Sequence, residues 1–276
     1  MRIVAAAILA LAGTFAAQAE IKHEFIVVDN GSKQLVYVDQ FEPSKSWKTT
    51  VPAGSRDIDI LDGDRVLMSN GSGATIYSLK DGKEIWTFTG FKGVQTASLM
   101  QDGNYLIGAS DKLVVVDPEG ETVKTIISGK MGHLRLARQL NNGNVLYASG
   151  RDLYEVDMDG KKMWTYTSQN KTYLALEERD GSFLLTAGDS VKVLSVTREG
   201  KVSLVCGGKE DHPNVGLAWF SGFDVLGNGN VVVANWCGHG FKGEKRHLIE
   251  FDRNNKIVWQ WSDADVKSAT TVQILK

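Results

Sequence analysis

The chain has 276 residues, of which 42% are hydrophobic and 23% charged, and its formal net charge is −2. These proportions are typical of a soluble globular protein. The near-neutral charge and the scattered basic residues exclude the electrostatic pattern of a nucleic-acid-binding protein, and they give no reason to expect an anionic membrane as a partner.

The first 19 residues predict an export signal. Arg2 supplies a positive charge, residues 3–17 form an apolar Ala/Leu-rich stretch, and Ala17-Gln18-Ala19 has the small-x-small form of a cleavage site. The alternative is a membrane anchor, but the stretch is shorter than the ~20 apolar residues that a membrane span needs. We therefore expect cleavage before Glu20, a single mature domain at residues 20–276 without a membrane span, and a periplasmic or secreted location.

From residue 24 onward, short β-type runs are separated by two alternating series of turns. The first series is Asp62-Gly63, Asp102-Gly103, Asn142-Gly143, Asp180-Gly181 and Asn228-Gly229. These dipeptides predict hairpins with type I′ turns, in which both central residues need a positive φ. The second series is Gly82, Gly120, Gly160 and Gly200, with Asn255 in the corresponding position of the last repeat. Both series repeat at about 40 residues, a period typical of a propeller or solenoid.

Four short strands fit into each repeat, which predicts an all-β fold. Residues 65–68, 75–79 and 85–88 illustrate the second, third and fourth strands. Four antiparallel strands in about 40 residues make one blade of a β-propeller. Residues 25–29 match a second strand, and residues 271–275 match a first strand. The sequence therefore predicts six four-stranded antiparallel blades in a ring, closed by pairing of the C-terminal strand with the N-terminal strands.

The last repeat contains the longest connections. Residues 235–246 form a glycine-rich excursion between its second and third strands, and residues 207–219 form a long approach to its first strand. Loops that outgrow their repeat often carry function on a rigid scaffold.

The turn Asp81-Gly82-Lys83-Glu84-Ile85-Trp86 returns at residues 159–164 and, in a divergent form, at residues 254–259. This motif resembles the quinoprotein-like propellers, which include the PQQ-dependent alcohol dehydrogenases and the PQQ-repeat and arylsulfotransferase-like exported proteins of bacteria. The resemblance implies an exported propeller. The Thr-Gly form of the turn and the adjacent Cys-Cys pair of the dehydrogenases are missing from this sequence, so we expect neither PQQ nor any other cofactor.

In a propeller, the first strand of each blade lines the central channel. Counting back eight, six and four residues from each first-series glycine, by the two-residue period of a strand, gives one face of each of these strands. At the channel mouth this face predicts a ligand-binding set, with the last two residues just outside the strands: Asp57, Gln95, Arg135, Tyr173, His133 and Trp219. Arg135 would attract an anionic or sugar-like ligand, and Tyr173 or Trp219 would provide a stacking face. The alternative is that the polar channel residues hold ordered water and bond to one another.

Of the two cysteines, Cys206 ends the fourth strand of the fifth blade and Cys237 lies in the connection between the second and third strands of the sixth, so both are expected at the same face on neighbouring blades. In an exported protein this placement favours a disulfide, with two free buried thiols as the alternative. A metal site would need Cys237 together with His212 and His239, a weak pattern, so we expect no metal.

Two functional hypotheses remain open at the level of sequence. The first is a non-catalytic propeller that binds a small ligand or a protein at the channel mouth. The second is an enzyme with its site at the mouth, either a quinoprotein-like oxidoreductase or a transferase or hydrolase for sulfated or glycosidic substrates. His133 and His212 are the candidate acid/base groups. We favour the first hypothesis because the sequence has no nucleophile and base in a recognisable arrangement.

Overall fold

Residues 20–276, the part of the chain that the computed structural model describes, form six four-stranded antiparallel sheets. The predicted signal peptide at residues 1–19 lies outside the described residues. Within residues 20–276, no helix is both long and apolar enough to cross a membrane. The other regular elements are two 3-10 turns, at Pro43–Lys45 and Gly188–Ser190.

Each sheet is one blade, numbered here from the N-terminus. Blade 1 contains β1 (Glu24–Asp29), β2 (Gln34–Asp39) and β3 (Trp47–Thr50), together with the C-terminal β24 (Ala269–Ile274). Blade 2 contains β4 (Ser55–Asp62), β5 (Arg65–Asn70), β6 (Gly73–Ser78) and β7 (Glu84–Thr89). Blade 3 contains β8 (Thr96–Leu99), β9 (Tyr105–Gly108), β10 (Lys112–Val116) and β11 (Thr122–Ser128).

The second half of the chain repeats this pattern. Blade 4 contains β12 (Leu134–Gln139), β13 (Val145–Ser149), β14 (Asp152–Val156) and β15 (Lys162–Thr167). Blade 5 contains β16 (Ala175–Glu177), β17 (Phe183–Ala187), β18 (Lys192–Val196) and β19 (Val202–Gly207). Blade 6 contains β20 (Phe220–Val225), β21 (Val231–Asn235), β22 (Leu248–Phe251) and β23 (Ile257–Trp261). The first strands of neighbouring blades contact one another from blade 6 through blades 1, 2, 3 and 4 to blade 5, and β20 of blade 6 contacts the second strand of blade 5, β17.

The predicted closure of the ring is confirmed. β24 pairs antiparallel with β1, so that Phe25 is opposite Ile274 and Val28 is opposite Thr271. The two ends of the domain therefore share one sheet, which removes the open edge that an unclosed array would expose.

The first-series turns are hairpins, but not of the predicted type I′. In blade 4, Gly143 N–H donates to the carbonyl of Leu140, and Gly143 alone has a positive φ, of 86°. This arrangement is a type I turn followed by a left-handed glycine, the commonest three-residue hairpin loop. Gly103, Gly181 and Gly229 adopt the same conformation, whereas Gly63 of blade 2 does not. In the second series, Asn255 has φ of 60° and takes the place that glycine has in the other repeats.

The hydrophobic core is divided into six clusters, each between two adjacent blades. The fourth-strand tryptophans Trp47, Trp86, Trp164 and Trp259 belong to these clusters. Trp47, for example, stacks on Tyr37 and donates through Nε1 to the carbonyl of Leu79 in the next blade. These rings bury large areas between sheets, so they hold neighbouring blades together.

The innermost strands of four blades carry the same irregularity, a β-bulge near the channel mouth. Each of these strands has one residue more than its partner over the same length of ladder. The bulges lie between the pairs Ser55–Asn70 and Ile58–Met68 in β4, Leu134–Ser149 and Ala137–Tyr147 in β12, Phe220–Asn235 and Phe223–Val233 in β20, and Val28–Thr271 and Asp29–Ala269 in β24. A bulge turns the side chain of its extra residue away from the regular alternation.

Candidate functional site

A cavity of about 310 Å³ lies at one mouth of the central channel. Five of the six blades contribute to its wall, and blade 3 does not. The lining residues are Asn30, Arg56, Arg135, Lys171, Tyr173, Asp189, Trp219, Ser221, Trp236, His239 and Thr270. A larger groove of about 680 Å³ runs between the outer strands of blades 1 and 6. Three of its charged residues, Glu20, Lys22 and Lys256, are exposed to solvent. The fourth, Asp39, is buried and accepts the backbone N–H groups of Phe41 and Glu42.

The bulges place four side chains in this cavity. Arg56, Arg135, Ser221 and Thr270 each lie within the bulged segment of an innermost strand. In blade 2, the hydroxyl of Ser69 accepts the backbone N–H groups of Arg56 and Asp57 at 3.3 and 3.0 Å. These donors would otherwise be unpaired in the interrupted ladder, so the hydroxyl stabilises the bulge.

Two guanidinium groups enter the cavity without carboxylate partners. Among residues 20–276, the salt bridges of arginine involve Arg65, Arg138, Arg198 and Arg246, but neither Arg56 nor Arg135. Burial lowers the pKa of Arg135, and the positive charge of Arg56 acts in the same direction. The Nε of Arg56 is buried and has no hydrogen-bond partner in the described part of the chain.

Tyr173 lies beside these arginines. Its side chain is buried, with 3% of the residue exposed, and its Oη has no hydrogen-bond partner among the described residues. Burial raises the pKa of Tyr173 and the charge of Asp57 adds to that effect, while the charges of Arg56 and Arg135, together with the close approach of the Arg56 side chain, oppose it. The phenol is therefore neutral at ordinary pH, and its O–H is an unused donor next to two cations.

Tryptophan side chains form one wall of the cavity. Trp219 packs edge to face against both Tyr173 and Trp236, with ring centroids 5.8 and 6.1 Å apart. Trp236 in turn contacts the ring of His239, at 4.7 Å. Each indole N–H is bonded: Trp219 Nε1 donates to Asp189 Oδ1 at 3.1 Å, and Trp236 Nε1 donates to Asn30 Oδ1 at 3.3 Å. Both rings are therefore held in place at the edge of the site.

Below the cavity, the channel is crossed by an ion pair. Arg138 donates from Nη2 to Asp57 Oδ1 at 2.7 Å and from Nη1 to Asp57 Oδ2 at 2.8 Å. Asp57 also accepts the hydroxyl of Thr96 and the backbone N–H of Ala97 in blade 3. Burial disfavours the charged form of Arg138, but the carboxylate of Asp57 outweighs it and raises the pKa of Arg138. Asp57 therefore accepts four hydrogen bonds within this network, and its salt bridge is with Arg138 and not with an arginine of the cavity.

The structure brings together three of the six predicted ligand-binding residues, namely Arg135, Tyr173 and Trp219. Asp57 lies deeper in the channel, in the pair with Arg138. Gln95 belongs to blade 3 and donates to the carbonyls of Gly93 and Val94 beside it, at 3.4 and 3.5 Å. His133 is exposed and does not line the cavity.

The sequence reasoning missed Arg56 and Arg138 for a physical reason. The predicted channel-facing positions follow from an uninterrupted two-residue alternation in each first strand. The bulge in β12 interrupts that alternation and brings Arg138, not Ala137, to the channel. In blade 2 the positions are numbered back from Gly63, whose turn differs from the other four first-series turns. The position predicted at the channel mouth is therefore Ser55 and not its neighbour Arg56. The unusual length of the blade 6 loop at residues 235–246 did indicate the position of the site, because Trp236 and His239 on this loop line the cavity.

The predicted disulfide between Cys206 and Cys237 is not present, and both thiols are free and buried. Cys206 packs in the apolar cluster between blades 5 and 6, whereas Cys237 Sγ lies 3.3 Å from the carbonyl oxygen of Asn235. Burial raises the pKa of the Cys206 thiol to about 12 and that of the Cys237 thiol to about 11.

The weak metal candidates do not converge either. His212 packs on Phe251 and lies 3.3 Å from Asn255 Oδ1, while His239 lies at the channel mouth. Within residues 20–276, no group of three or more His, Cys, Asp and Glu side chains is arranged to hold a metal ion.

Solved structures with a similar fold include β-propellers of different kinds. A protein of unknown function from Bacteroides caccae has a TM-score of 0.77 and 20% sequence identity, with 91% of this chain and 98% of that chain covered. A chain in the nidogen/laminin complex has a TM-score of 0.69 and 10% identity, with 92% and 98% covered. Virginiamycin B lyase from Staphylococcus aureus has a TM-score of 0.58 and 9% identity, with 88% and 84% covered. No protein-family model and no curated protein sequence matches this chain. The similarity therefore concerns the propeller fold, and the resemblance to PQQ-repeat proteins stays a prediction.

Proposed function

We propose that this propeller binds a small anionic ligand in the cavity at the channel mouth. The observation that carries the proposal is the pair Arg56 and Arg135, two guanidinium groups that form no salt bridge within residues 20–276, beside the buried phenol of Tyr173, whose Oη has no hydrogen-bond partner in the same range. A concave site with a few convergent polar groups and aromatic walls is the usual form of a small-molecule site.

The contrast with the deeper channel supports this proposal. Arg138 and Asp57 satisfy each other there, as expected if channel residues only stabilise the fold. At the mouth, two positive charges share a partly buried space, and this arrangement costs free energy until an anion enters. A carboxylate, sulfate or phosphate group would accept hydrogen bonds from both guanidinium groups and from the phenol, and such charge-assisted bonds are the strong ones.

Isothermal titration and thermal-shift measurements with acetate, sulfate, phosphate and citrate test the proposal. A ligand at 100 times its Kd stabilises the native state by about 2.7 kcal/mol, so even weak binding is measurable at high ligand concentration. We expect Arg56→Gln and Arg135→Gln each to weaken binding about tenfold or more, since each removes one charge-assisted contact.

The matched control is Arg179→Gln. Arg179 is an exposed arginine in the turn between β16 and β17, outside the cavity lining, and its loss should leave binding unchanged. The proposal is wrong if none of the four anions binds to the wild type. It is also wrong if Arg56→Gln and Arg135→Gln bind the anion as tightly as Arg179→Gln does.

We also propose that the protein is exported to the periplasm or secreted, on the basis of the charged, apolar and small-residue segments of residues 1–19. N-terminal sequencing of the protein from a fractionated bacterial host should give Glu20 as the first residue of the exported form. A cytoplasmic product that retains Met1 would contradict this.

A further inference from the structure

The cavity has two chemically different ends. Arg56, Arg135 and Tyr173 make one end cationic, while at the other end, beside the indole of Trp219, the lining residues Asp189 and Lys171 carry charges of opposite sign. Building on the proposed function, we infer that the anionic ligand is an acidic monosaccharide, with its carboxylate or sulfate group on the two arginines and its pyranose ring against the tryptophans.

The tryptophan surface is fixed before any ligand arrives. A Cβ atom on Gly188 would lie 2.2 Å from Cε2 of Trp219, and one on Gly238 would lie 2.1 Å from Cζ2 of Trp236. Each indole therefore rests against a glycine backbone that no side-chain-bearing residue could replace without moving the ring. A preorganised aromatic surface binds a ligand without the entropy cost of ordering its own side chains.

The angle between the rings favours a sugar over a flat aromatic ligand. Trp219 and Trp236 are inclined at 77°, so they do not form the parallel slot that would hold a planar ring between two faces. A pyranose needs only one indole face for its apolar C–H surface, and its hydroxyls then point sideways to polar groups.

Polar groups are available beside that surface. An ionised carboxylate has about four acceptor positions, and Asp189 uses only two in the described structure, for Trp219 Nε1 at 3.1 Å and Lys171 N–H at 3.3 Å. Asn30 Oδ1 accepts from Trp236 and Ser268, so its amide Nδ2 remains a donor. Asp189 and Lys171 bring one negative and one positive charge to this end, which therefore has less net charge than the arginine end and suits the hydroxyls of a ligand that is charged only at its other end.

The volume of the cavity limits the size of the ligand that it can enclose. A volume of about 310 Å³ corresponds to roughly ten water molecules at ~30 Å³ each. This space suits one sugar ring with its substituents, whereas a longer glycan would have to extend out of the mouth.

Isothermal titration with D-glucuronate, D-galacturonate and N-acetylglucosamine 6-sulfate tests the inference. The comparison ligands are acetate and sulfate, which have no ring, glucose, which has no charge, and phenylacetate and phenylalanine, which have an aromatic ring. We expect at least one acidic sugar to bind tenfold or more tightly than every comparison ligand.

Variants separate the two ends. Trp236→Ala should weaken binding of the acidic sugar about tenfold while sulfate affinity changes less than twofold, and Arg135→Gln should weaken both. Gly188→Ala, which pushes the indole of Trp219 aside, is a second probe of the same wall. Thermal melts without ligand confirm that each variant is folded, and Trp236→Phe replaces Trp236→Ala if the latter does not fold.

The outcomes of these titrations are distinct. If acetate and sulfate bind through the arginines but acidic sugars bind no more tightly, or if phenylacetate or phenylalanine binds most tightly, the sugar inference is wrong and the anion site stands. If no anion binds at all, both proposals are wrong.

Discussion

The ion pair between Arg138 and Asp57 gives the sharpest prediction about stability. Asp57 is completely buried, and only 15% of the Arg138 side chain is exposed. Replacing Arg138 with Met removes the two hydrogen bonds to Asp57, of 2.7 and 2.8 Å, together with those to the carbonyls of Ala137 and Ile58. The carboxylate of Asp57 then keeps only the Thr96 hydroxyl and the Ala97 N–H as partners.

Breaking a buried ion pair from one side typically costs about 3–5 kcal/mol, because the remaining charge is buried without compensation. For a domain of this size, we expect Arg138→Met to lower Tm by about 10 °C. Urea unfolding followed by tryptophan fluorescence measures the free energy directly, with an unchanged m value as the sign that only stability has changed.

Two further variants make the test specific. Asp57→Asn combined with Arg138→Met should recover part of the loss, with a coupling energy of about 2 kcal/mol between the two sites. Arg65→Met is the control, because Arg65 pairs with Asp62 through a similar 2.6 Å contact but the two side chains are 47% and 42% exposed. This exposed pair should contribute far less than the buried one, because solvent screens its charges. Equal losses for Arg138→Met and Arg65→Met would refute the reasoning.

Three other predictions concern buried titratable groups. Because both thiols are free and burial raises the pKa values of Cys206 and Cys237, a thiol reagent at pH 8 should label neither in the native protein and both after unfolding without reductant, whereas a disulfide would give no labelling in either state. Burial raises the pKa of Asp59 above 3.8, so the native state loses stability as the pH rises through that higher value. The free energy of unfolding of Asp59→Asn, measured in urea at pH 7, should therefore equal or exceed that of the wild type. A much lower free energy of unfolding at pH 7 would contradict this. Burial alone would raise the pKa of Glu155, but hydrogen bonds from asparagine and arginine side chains lower it below 4.5, so its contribution is present above that pH and lost as the pH falls through the lower value. Glu155→Gln should therefore lower the free energy of unfolding by about 1–3 kcal/mol at pH 7, and the difference between variant and wild type should shrink in acid. An equal loss at pH 7 and pH 3 would exclude stabilisation by the ionised Glu155 carboxylate.

The residues of the site differ in whether the sequence determines their position. Tyr173, Arg135 and Trp219 line one cavity, because the repeat fixes which strands are innermost and which loops share a face, and their role in ligand binding stays a prediction. Arg56 was not predicted, since its position depends on a bulge and on a turn that differs from the other repeats. The two cysteines fall at the same face, as predicted, but one packs between blades and the other lies beside a backbone carbonyl, so their position in the sequence did not determine pairing.

The number of blades, their four strands and the closure of the ring were determined by the sequence alone, because hairpin turns and strand alternation are local properties that recur with each repeat. Which side chains enter the channel was decided only by the tertiary structure. A single extra residue in an innermost strand moves the following side chains to the other face of the sheet, and no local pattern marks where that residue is inserted. Arg56 and Arg135 lie together at the mouth, with the Arg138–Asp57 ion pair beneath them, because bulges in separate blades turn these side chains toward one common space.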